Sequence, residues 1–365
     1  MKLLVQPGDG VEAITRAIDR ARRSVQIMIF RFDQKAVEQA LTRAAERGVF
    51  VHALIAFTNR GGERSLRALE QRLLRRGITV AQTADDLIRY HGKFLIVDGR
   101  ELFLLAFNFT HLDIERSRSF GVVTSEAKLV AEASRLFECD VKRLPYRAGC
   151  NRFVVSPVNA RAALSRSLAR ARKELLIYDP EVSDPSLLRI LEERATAGVR
   201  ICIIGGVGDR KSSLPWRRLN GMRLHTRAIL CDGKSAFIGS QSLRKLELDA
   251  RREVGIIFAS SSIVAEMRKV FEQDWAAAKP PKSAKQAARI PVKKTAKRVA
   301  KAITRKLAVK PVVSQVVDVL RRDAALDVPP HEVEETVKQA LKDALKDAVH
   351  DAAKKVVKSA VEQEL

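Results

Sequence analysis

Two histidines stand at the head of the same short pattern in two distant parts of the chain. The pattern is a histidine, a basic residue two positions later and an aspartate five positions after that; it occurs as His91, Lys93 and Asp98 and again as His225, Arg227 and Asp232. Corresponding residues are 134 positions apart in every case. Histidine is the side chain best suited to proton transfer or nucleophilic attack near neutral pH. The matched spacing therefore predicts a duplicated unit that brings two histidines to one site.

An Asp-Gly pair lies between two apolar runs in each copy, which is a strong signal for a hairpin turn. Side chains two positions apart on a strand share a face, and so do residues opposed across a tight hairpin. With a two-residue turn, Ala106 and Asn108 lie on the face of His91 and Lys93. The same pairing in the second copy groups His225, Arg227, Ser240 and Ser242. The aspartate of each pattern points away from these faces, and we assign it to the turn.

Such a group of side chains suits chemistry on a phosphate. Two cations can hold a phosphate and neutralise the charge that develops on it. One neutral imidazole can attack phosphorus, while the other, protonated, gives its proton to the leaving oxygen. No carboxylate cluster suggests a metal, and the four cysteines are scattered without a CxxC pair. We therefore expect neither a metal nor another cofactor.

The chain up to about residue 277 supports the duplication. Residues 21–60 align with 171–210 at an offset of 150, so the first unit carries 16 extra residues around 61–90, which we expect in a loop. Periodicity predicts helices at 11–23, 35–47 and 126–142 and strands at 24–31, 49–56, 91–97, 101–109 and 119–124. We predict an α/β protein with two mixed β-sheets flanked by helices and related by a pseudo-twofold, built from repeats 1–148 and 149–277.

The positive charge is large and unevenly distributed. The 365 residues carry a formal net charge of +24, of which +12 lies on residues 276–310, where no acidic residue occurs. Residues 311–365 carry −3, which leaves +15 on residues 1–275. We interpret 278–310 as a basic linker with an amphipathic helix, and 311–365 as a helical C-terminal segment. This charge favours an anionic partner: nucleic acid, a phospholipid surface or a phosphorylated small molecule.

The sequence gives no signal for secretion or membrane insertion. The apolar run at the N-terminus is too short for a signal peptide, and no stretch of about 18 apolar residues occurs. The cysteines form no disulfide framework, which fits a reducing compartment. We therefore expect a cytoplasmic protein without a transmembrane segment, peripheral to a membrane at most.

The repeated pattern resembles that of the phospholipase D superfamily, in which His-x-Lys-x4-Asp-x6-Gly-Ser-x-Asn occurs once per repeat. The second copy here continues as Gly239-Ser240-Gln241-Ser242, and the first as Leu105-Ala106-Phe107-Asn108. The resemblance covers residues 1–277 and departs from the motif where Arg227 replaces lysine, Ala106 replaces serine and Ser242 replaces asparagine. It implies a phosphodiester hydrolase or transferase with a single site between the repeats, which works without metal through a phosphohistidine.

The resemblance also implies different roles for the two histidines. The nucleophile of this superfamily is usually the first-repeat histidine, oriented by an acid from the second repeat, and Glu253 stands at a suitable place, 28 residues after His225. Its counterpart in the first repeat is Ser119. His91 is then the nucleophile held by Glu253, and His225 the general acid beside a neutral neighbour, an asymmetry similar to that of tyrosyl-DNA phosphodiesterases. The groups left to bind the substrate phosphate are Lys93, Arg227, Asn108, Ser240 and Ser242.

Three functions remain open on the sequence. A nucleic-acid phosphodiesterase fits the basic core and the basic segment 279–310, which would bind DNA or RNA without sequence preference. A phospholipase D or a cardiolipin-synthase-like phosphatidyltransferase fits a basic helix at 292–310 on anionic lipid, although that helix has no Trp or Phe to anchor it. A polyanion-binding module with a decayed site fits the changes at Ala106 and Ser242. We favour nucleic acid as the substrate.

Overall fold

The computed structural model describes residues 1–57, 63–209 and 212–280. The predicted basic helix and the predicted C-terminal segment 311–365 lie outside the described residues. The first repeat contains β1 Lys2–Gln6, α1 Glu12–Arg20, β2 Ser24–Ile29, α2 Lys35–Glu46, β3 Phe50–Ile55, α3 Glu63–Arg75, β4 Thr79–Gln82, β5 Arg89–Tyr90, β6 Phe94–Val97, β7 Glu101–Leu105, α4 His111–Glu115, β8 Ser117–Thr124 and α5 Ala127–Lys142. The second contains β9 Phe153–Val155, α6 Ala160–Ala169, β10 Glu174–Val182, α7 Pro185–Thr196, β11 Arg200–Val207, β12 Trp216–Arg217, β13 Arg223–Leu224, β14 Arg227–Cys231, β15 Ser235–Gly239, α8 Lys245–Asp249, β16 Arg251–Arg252, β17 Val254–Phe258 and α9 Ser261–Ala277.

The two repeats build sheets of the same strand order. The first runs β4-β3-β2-β6-β7-β8-β1 and the second β12-β11-β10-β14-β15-β17-β9. In each sheet the first three strands of this order are parallel to one another, and crossover connections join them. The remaining neighbouring strands are antiparallel. The predicted α/β fold with two mixed sheets in a duplicated arrangement is confirmed.

The two sheets share one apolar layer. The rings of Phe120 and Tyr178, one from each repeat, meet edge to face in it with their centroids 5.4 Å apart. Neighbouring residues of β7 alternate, so that Leu104 faces this layer and Leu105 faces the outer helices. Helices α1, α2 and α3 cover the outside of the first sheet, and α6 and α7 that of the second. The neighbouring strands β6 and β7 are covered on both faces and are accordingly apolar at every position except Glu101.

The stretch that lengthens the first repeat contains a helix, so the prediction of a loop there is wrong. Helix α3 packs Leu66, Leu69 and Leu73 against the outer core of the first sheet. These leucines recur at helical spacing and therefore share one face. In the second repeat, the residues described between β11 and β12 contain no helix.

The hairpin after each His-x-basic pattern has a turn of three residues, one more than predicted. The closing pairs are Val97 with Glu101 and Cys231 with Ser235. Asp98 and Gly99 open the first turn with φ of 53° and 62°, which Asp tolerates better than most residues and Gly adopts freely. Leu105 N donates to Lys93 O at 3.0 Å, so Leu105 rather than Ala106 lies opposite Lys93. The predicted hairpin register is therefore wrong, and so is the prediction that these side chains share one face of the hairpin.

Candidate active site

Each histidine follows a short strand that pairs with the other repeat. β5 runs parallel to β16, and β13 runs parallel to the start of β8. The His91 amide donates to Arg252 O at 2.7 Å, and the His225 amide donates to Arg118 O at 3.1 Å. Arg118 and Arg252 are 134 positions apart, so the two contacts are equivalent. Because Glu253 directly follows Arg252, this exchange brings an acid of the second repeat to the histidine of the first.

His91 is buried and contacted on several sides. Its Nδ1 lies 2.7 Å from Glu253 Oε2, the pairing that the resemblance to the phospholipase D superfamily implies. The ring of Phe30 packs against the imidazole with centroids 4.5 Å apart and planes at 79°. Lys93 Nζ donates to the carbonyl oxygen of His91 at 2.6 Å. Both His91 and Lys93 precede β6, which begins at Phe94 and not at residue 91 as predicted, so strand alternation does not set their directions.

The electrostatic environment favours a neutral His91. Burial lowers its pKa well below the ordinary 6.5, and the charges of Lys93 and Arg227 lower it further. Burial raises the pKa of Glu253, while the charge of Lys93 and the hydroxyl of Ser240 oppose that rise. We assign the imidazole proton to Nδ1, from which it is donated to Glu253. The lone pair of Nε2 is then available to attack an electrophile.

Lys93 and Arg227 bring positive charge to one place. Burial lowers the pKa of Lys93 to about 7, with Arg227 adding to this effect and Glu253 opposing it. Arg227 donates through Nη1 to the carbonyl oxygen of His225 at 2.7 Å and through Nε to Ser242 Oγ at 3.0 Å. Both cations lower the pKa of both histidines. The charges of Lys93 and Arg227 therefore act on both histidines.

His225 has an acidic neighbour, which contradicts the neutral one predicted from Ser119. Its Nδ1 lies 3.5 Å from Asp113 Oδ2. The backbone amide and the Nδ2 of Asn108 donate to the same oxygen at 2.9 and 2.6 Å. Burial lowers the pKa of His225 well below its ordinary value, and the charge of Asp113 opposes this. The hydroxyl of Ser119 is buried and has no hydrogen-bond partner among the described residues.

The other predicted site residues lie around these pairs but not on one common face. Asn108 contacts Asp113 rather than a histidine. Ser242 contacts Arg227, as described above. The hydroxyl of Ser240 accepts the amide of Val254 at 3.0 Å, directly beside Glu253 in the chain. Ala106 is buried in the apolar layer between the sheets.

Asp98 and Asp232 lie in the hairpin turns, as predicted. Asp98 accepts the backbone amides of Arg22, Arg23 and Ser24, and Asp232 those of Arg172, Lys173 and Glu174. Each aspartate thus ties its turn to the start of the adjacent strand, β2 or β10. These turns are at the ends of β6 and β14 remote from the histidines.

Asp113 and Phe30 both lie beside a histidine, and neither is predicted from the sequence. A signal for Asp113 exists, because Glu247 stands 134 positions later. Glu247 Oε2 accepts the amide of Ser242 at 2.8 Å, in the same way as Asp113 accepts an amide in the first repeat. Phe30 has no such signal, since its counterpart at the offset of 150 is Pro180.

The positive charges that act on the two histidines belong to the side chains of Lys93 and Arg227. In the ranges 1–57, 63–209 and 212–280, no group of three or more His, Cys, Asp or Glu side chains is arranged to hold a metal ion. Over the same parts of the chain, no helix combines the length and the apolar character needed to cross a bilayer.

The fold and the site define a class of protein: a duplicated α/β unit in which each histidine of a His-x-basic pattern has its acidic neighbour in the other repeat. The chain belongs to the phospholipase D-like family, since the family described as "Cardiolipin synthase, PLD-like domain" matches residues 14–141 and 164–275. One of these two segments lies within each repeat.

Several known proteins are similar to parts of this chain in sequence or in fold. The mitochondrial cardiolipin hydrolase of Danio rerio is 28% identical over 110 residues, 30% of this chain and 47% of that protein, so the chain spans about half the length of this relative. The crystal structure of polyphosphate kinase from Porphyromonas gingivalis has a TM-score of 0.63 at 20% identity, covering 74% of this chain and 46% of that chain. The crystal structure of phosphatidylserine synthase from Haemophilus influenzae Rd KW20 has a TM-score of 0.61 at 12% identity, covering 77% and 87%. At these identities, the two structures show the likeness of the fold alone.

Proposed function

We propose that this protein is a metal-independent phosphodiesterase that cleaves its substrate in two steps through a phosphohistidine on His91. The observation that carries the proposal is the unequal partnering of two histidines around one pair of cations. His91 is fixed by a short contact to Glu253, whereas His225 lies farther from its carboxylate, that of Asp113. The imidazole of His91 is thereby oriented for attack, and the imidazole of His225 can exchange a proton.

In the first step, the Nε2 lone pair of His91 forms a bond to phosphorus. The bond between phosphorus and the leaving oxygen breaks, and that oxygen takes a proton from His225. Glu253 accepts the Nδ1 proton of His91 in a hydrogen bond and stabilises the positive charge that the ring gains on phosphorylation. Lys93 and Arg227 neutralise the charge on the non-bridging oxygens.

In the second step, His225 has lost its proton and can act as the base. It takes a proton from water, or from an alcohol in a transfer reaction, as the oxygen attacks phosphorus. The bond between phosphorus and His91 breaks, and the electron pair returns to Nε2. Both histidines are then in their starting states, so the cycle needs no other reactant.

The protonation of His225 depends on the substrate. Without a phosphate, burial and the two cations hold its pKa well below the ordinary value. A bound phosphodiester offsets the charges of Lys93 and Arg227, and so raises the pKa of His225 toward the range in which it donates a proton. Binding of the substrate thus favours the protonated form of His225, which is the form that acts as the general acid.

We favour a nucleic acid as the substrate because of the charge around the site. Residues 1–275 carry +15, and residues 276–310 add +12. The guanidinium groups of Arg31 and Arg89 lie 5.7 and 5.2 Å from the ring centroid of Phe30, which itself contacts His91. Cations beside the reacting phosphate suit the neighbouring phosphates of a polynucleotide.

A phospholipid is the second candidate, and the comparisons favour it. The description of the matching family names cardiolipin synthase, and the relative from Danio rerio is a cardiolipin hydrolase. Cardiolipin carries two phosphodiesters, so the same two-step chemistry applies to it. The basic helix predicted at 292–310 would lie on an anionic surface. A polyanion-binding module with a decayed site is the remaining alternative.

The substrate is tested by offering the full-length protein several phosphodiesters in EDTA. The panel consists of single- and double-stranded DNA, RNA, bis(p-nitrophenyl) phosphate and cardiolipin-containing liposomes. We expect turnover of nucleic acid and of the generic diester, and none of the lipid. Turnover of lipid without nucleic acid would select the phospholipid candidate. Activity that is lost in EDTA and restored by a divalent ion would contradict the metal-independent mechanism.

His91→Ala is the matched control for this panel. It removes the nucleophile, while the cations that bind the polyanion remain. We expect it to bind single-stranded DNA with the affinity of the wild type and to turn over no substrate. Equal binding by both proteins without turnover by either would contradict an enzyme and favour the decayed module.

A further inference from the structure

We propose that Asp113 is the positioning residue of His225: its fixed carboxylate, 3.5 Å from Nδ1, supports the protonated form of the imidazole that the proton-transfer step requires. This role rests on the proposed function, since it assigns a partner to the general acid of that reaction. It replaces Ser119, the residue that the symmetry of the repeats places in this role.

The carboxylate of Asp113 is held in place independently of His225. It is buried, with 3% of its side chain exposed. Oδ2 accepts two hydrogen bonds from Asn108, and Oδ1 forms an ion pair with Arg223. The amide of Asp113 donates to Thr110 Oγ1 at 3.3 Å at the start of α4. The negative charge is thus fixed before any substrate binds, which is the condition for electrostatic preorganisation.

Asp113 is also ionised under ordinary conditions. Burial alone would raise its pKa, but the charge of His225, the hydrogen bonds from Asn108 and the charge of Arg223 outweigh this and lower it. A carboxylate that stays charged can stabilise an imidazolium over the whole neutral range.

The distance to the imidazole distinguishes Asp113 from Glu253. His225 Nδ1 lies 3.5 Å from Asp113, against 2.7 Å between His91 and Glu253. At 3.5 Å the carboxylate acts on His225 mainly through its charge, because a strong hydrogen bond needs a shorter approach. The histidine therefore gains stabilisation of its protonated form and can still release the proton.

The groups that face His225 divide into one acid and several cations. Arg227, Lys93 and Arg223 lower its pKa together with burial, and Asp113 raises it. Removal of the Asp113 charge would leave His225 among three cations. The imidazole would then lose its proton at lower pH, and the general acid would be absent at neutral pH.

The counterpart of Asp113 in the second repeat is Glu247, and the contacts of the two carboxylates differ. Glu247 also accepts a backbone amide five residues earlier in the chain, that of Ser242. The other oxygen of Glu247 pairs with Arg251 at 3.0 Å, while the histidine of the opposite motif is held by Glu253. The amide contact is thus common to both repeats. The charge of Glu247 raises the pKa of His91, whereas Asp113 is the carboxylate that lies 3.5 Å from the imidazole of His225.

The test compares Asp113→Asn with Glu247→Gln in the full-length protein. Both variants remove one charge and leave an acceptor for the same kind of backbone amide. The pH dependence of kcat/KM for bis(p-nitrophenyl) phosphate reports the acid and the base of the free enzyme. We expect Asp113→Asn to move the alkaline limb to lower pH and to lower kcat/KM on that limb by about tenfold or more. Glu247→Gln, whose charge acts on His91 and Lys93, should leave the pKa of the His225 imidazole, measured by the NMR titration below, in place.

Asp113→Glu is the conservative variant and should restore most of the alkaline limb, because it returns the carboxylate. If Asp113→Asn fails to fold, Asp113→Ser, which keeps an acceptor for Asn108, takes its place. An alkaline limb that is unchanged in the folded variant would overturn the proposal. Equal loss in Asp113→Glu and Asp113→Asn would also overturn it, since the carboxylate would then have no effect of its own.

An NMR titration separates this proposal from the proposed function. The imidazole of His225 is assigned by its absence in His225→Gln, and its pKa is measured in the wild type and in Asp113→Asn with sulfate bound. We expect a lower pKa in the variant, whether or not the protein turns over any diester. Absence of turnover in the wild type would contradict the proposed function alone. An unchanged pKa of His225 would contradict the role of Asp113 alone.

Discussion

His91 Nδ1 and Glu253 Oε2 lie 2.7 Å apart although 162 residues separate them in the chain. The contact forms because the His91 amide is hydrogen-bonded to Arg252, the residue before Glu253. At the equivalent place in the first repeat stands Ser119, whose hydroxyl has no hydrogen-bond partner in the described ranges. Positions 119 and 253 are therefore equivalent in the two repeats, and position 253 holds the acid that contacts His91.

Substitution of Glu253 tests this orientation. Glu253→Gln keeps the size of the side chain but removes the charge that stabilises the phosphorylated or protonated ring of His91. We expect kcat to fall by about 10²- to 10⁴-fold, as is usual when the orienting carboxylate of a catalytic histidine is lost. Single-turnover and steady-state assays with bis(p-nitrophenyl) phosphate measure this. Ser119→Ala, at the equivalent position, should change kcat by less than about threefold; a similar loss in both variants would contradict the asymmetry.

Lys93 should take up a proton when an anion binds. Burial, with the charge of Arg227, lowers its pKa to about 7, so part of the free protein carries a neutral Lys93 at neutral pH. A bound anion favours the charged form and draws a proton from solution. Sulfate is a suitable probe because it does not itself titrate in this range. Calorimetry in buffers of different ionisation enthalpy should show proton uptake that grows as the pH rises from 6.5 to 8.

Lys93→Arg is the control for this uptake, because arginine keeps its charge throughout. The variant should still bind sulfate, and the remaining uptake would come from His225. Equal uptake by the wild type and Lys93→Arg would show that Lys93 is fully charged in the free protein.

The turn aspartates should contribute to stability rather than to catalysis. Burial would raise the pKa of Asp98, but hydrogen bonds from three backbone amides outweigh this and lower it. A depressed folded-state pKa stabilises the fold above the ordinary value of 3.8, and this contribution is lost as the pH falls through the lowered pKa. Asn also tolerates a positive φ, so Asp98→Asn removes charge without adding backbone strain.

We expect Asp98→Asn to lower the free energy of unfolding by about 1 kcal/mol at pH 7, measured by denaturant titration. The difference from the wild type should vanish at acid pH, and kcat should change little. Asp232→Asn should behave in the same way, because the second turn has the same hydrogen bonds. A large loss of kcat with unchanged stability in either variant would contradict the structural role.

The duplication leads to the two histidines, but it does not by itself lead to their acidic partners. The pairing of His91 with Glu253 follows from one offset and the family motif, and the alternation of helices and strands predicts the two sheets. Asp113 is missed although its counterpart Glu247 shares the offset of 134. An acid in the first turn of a short helix also serves to accept backbone amides, so its type and position do not reveal that a histidine lies beside it.

The errors in the fold have local causes. An Asp-Gly pair predicts the hairpin but not the number of residues in its turn, and the third turn residue, Arg100, shifts the register by one. This shift moves Ala106 into the apolar layer and leaves Asn108 to contact Asp113. Helix α3 is missed because the inserted stretch has no counterpart in the second repeat, although Leu66 and Leu73 show helical spacing.

The central claim is that His91 becomes covalently phosphorylated during the reaction. It is tested most directly by rapid acid-free quenching of the wild type with a ³²P-labelled or mass-tagged diester, followed by peptide mass spectrometry. We predict an adduct on the peptide that contains His91. The adduct should be absent in His91→Ala and should form in His225→Gln when the substrate has a good leaving group that needs no general acid. An adduct on His225, or single-turnover cleavage at the wild-type rate by His91→Ala, would contradict the account.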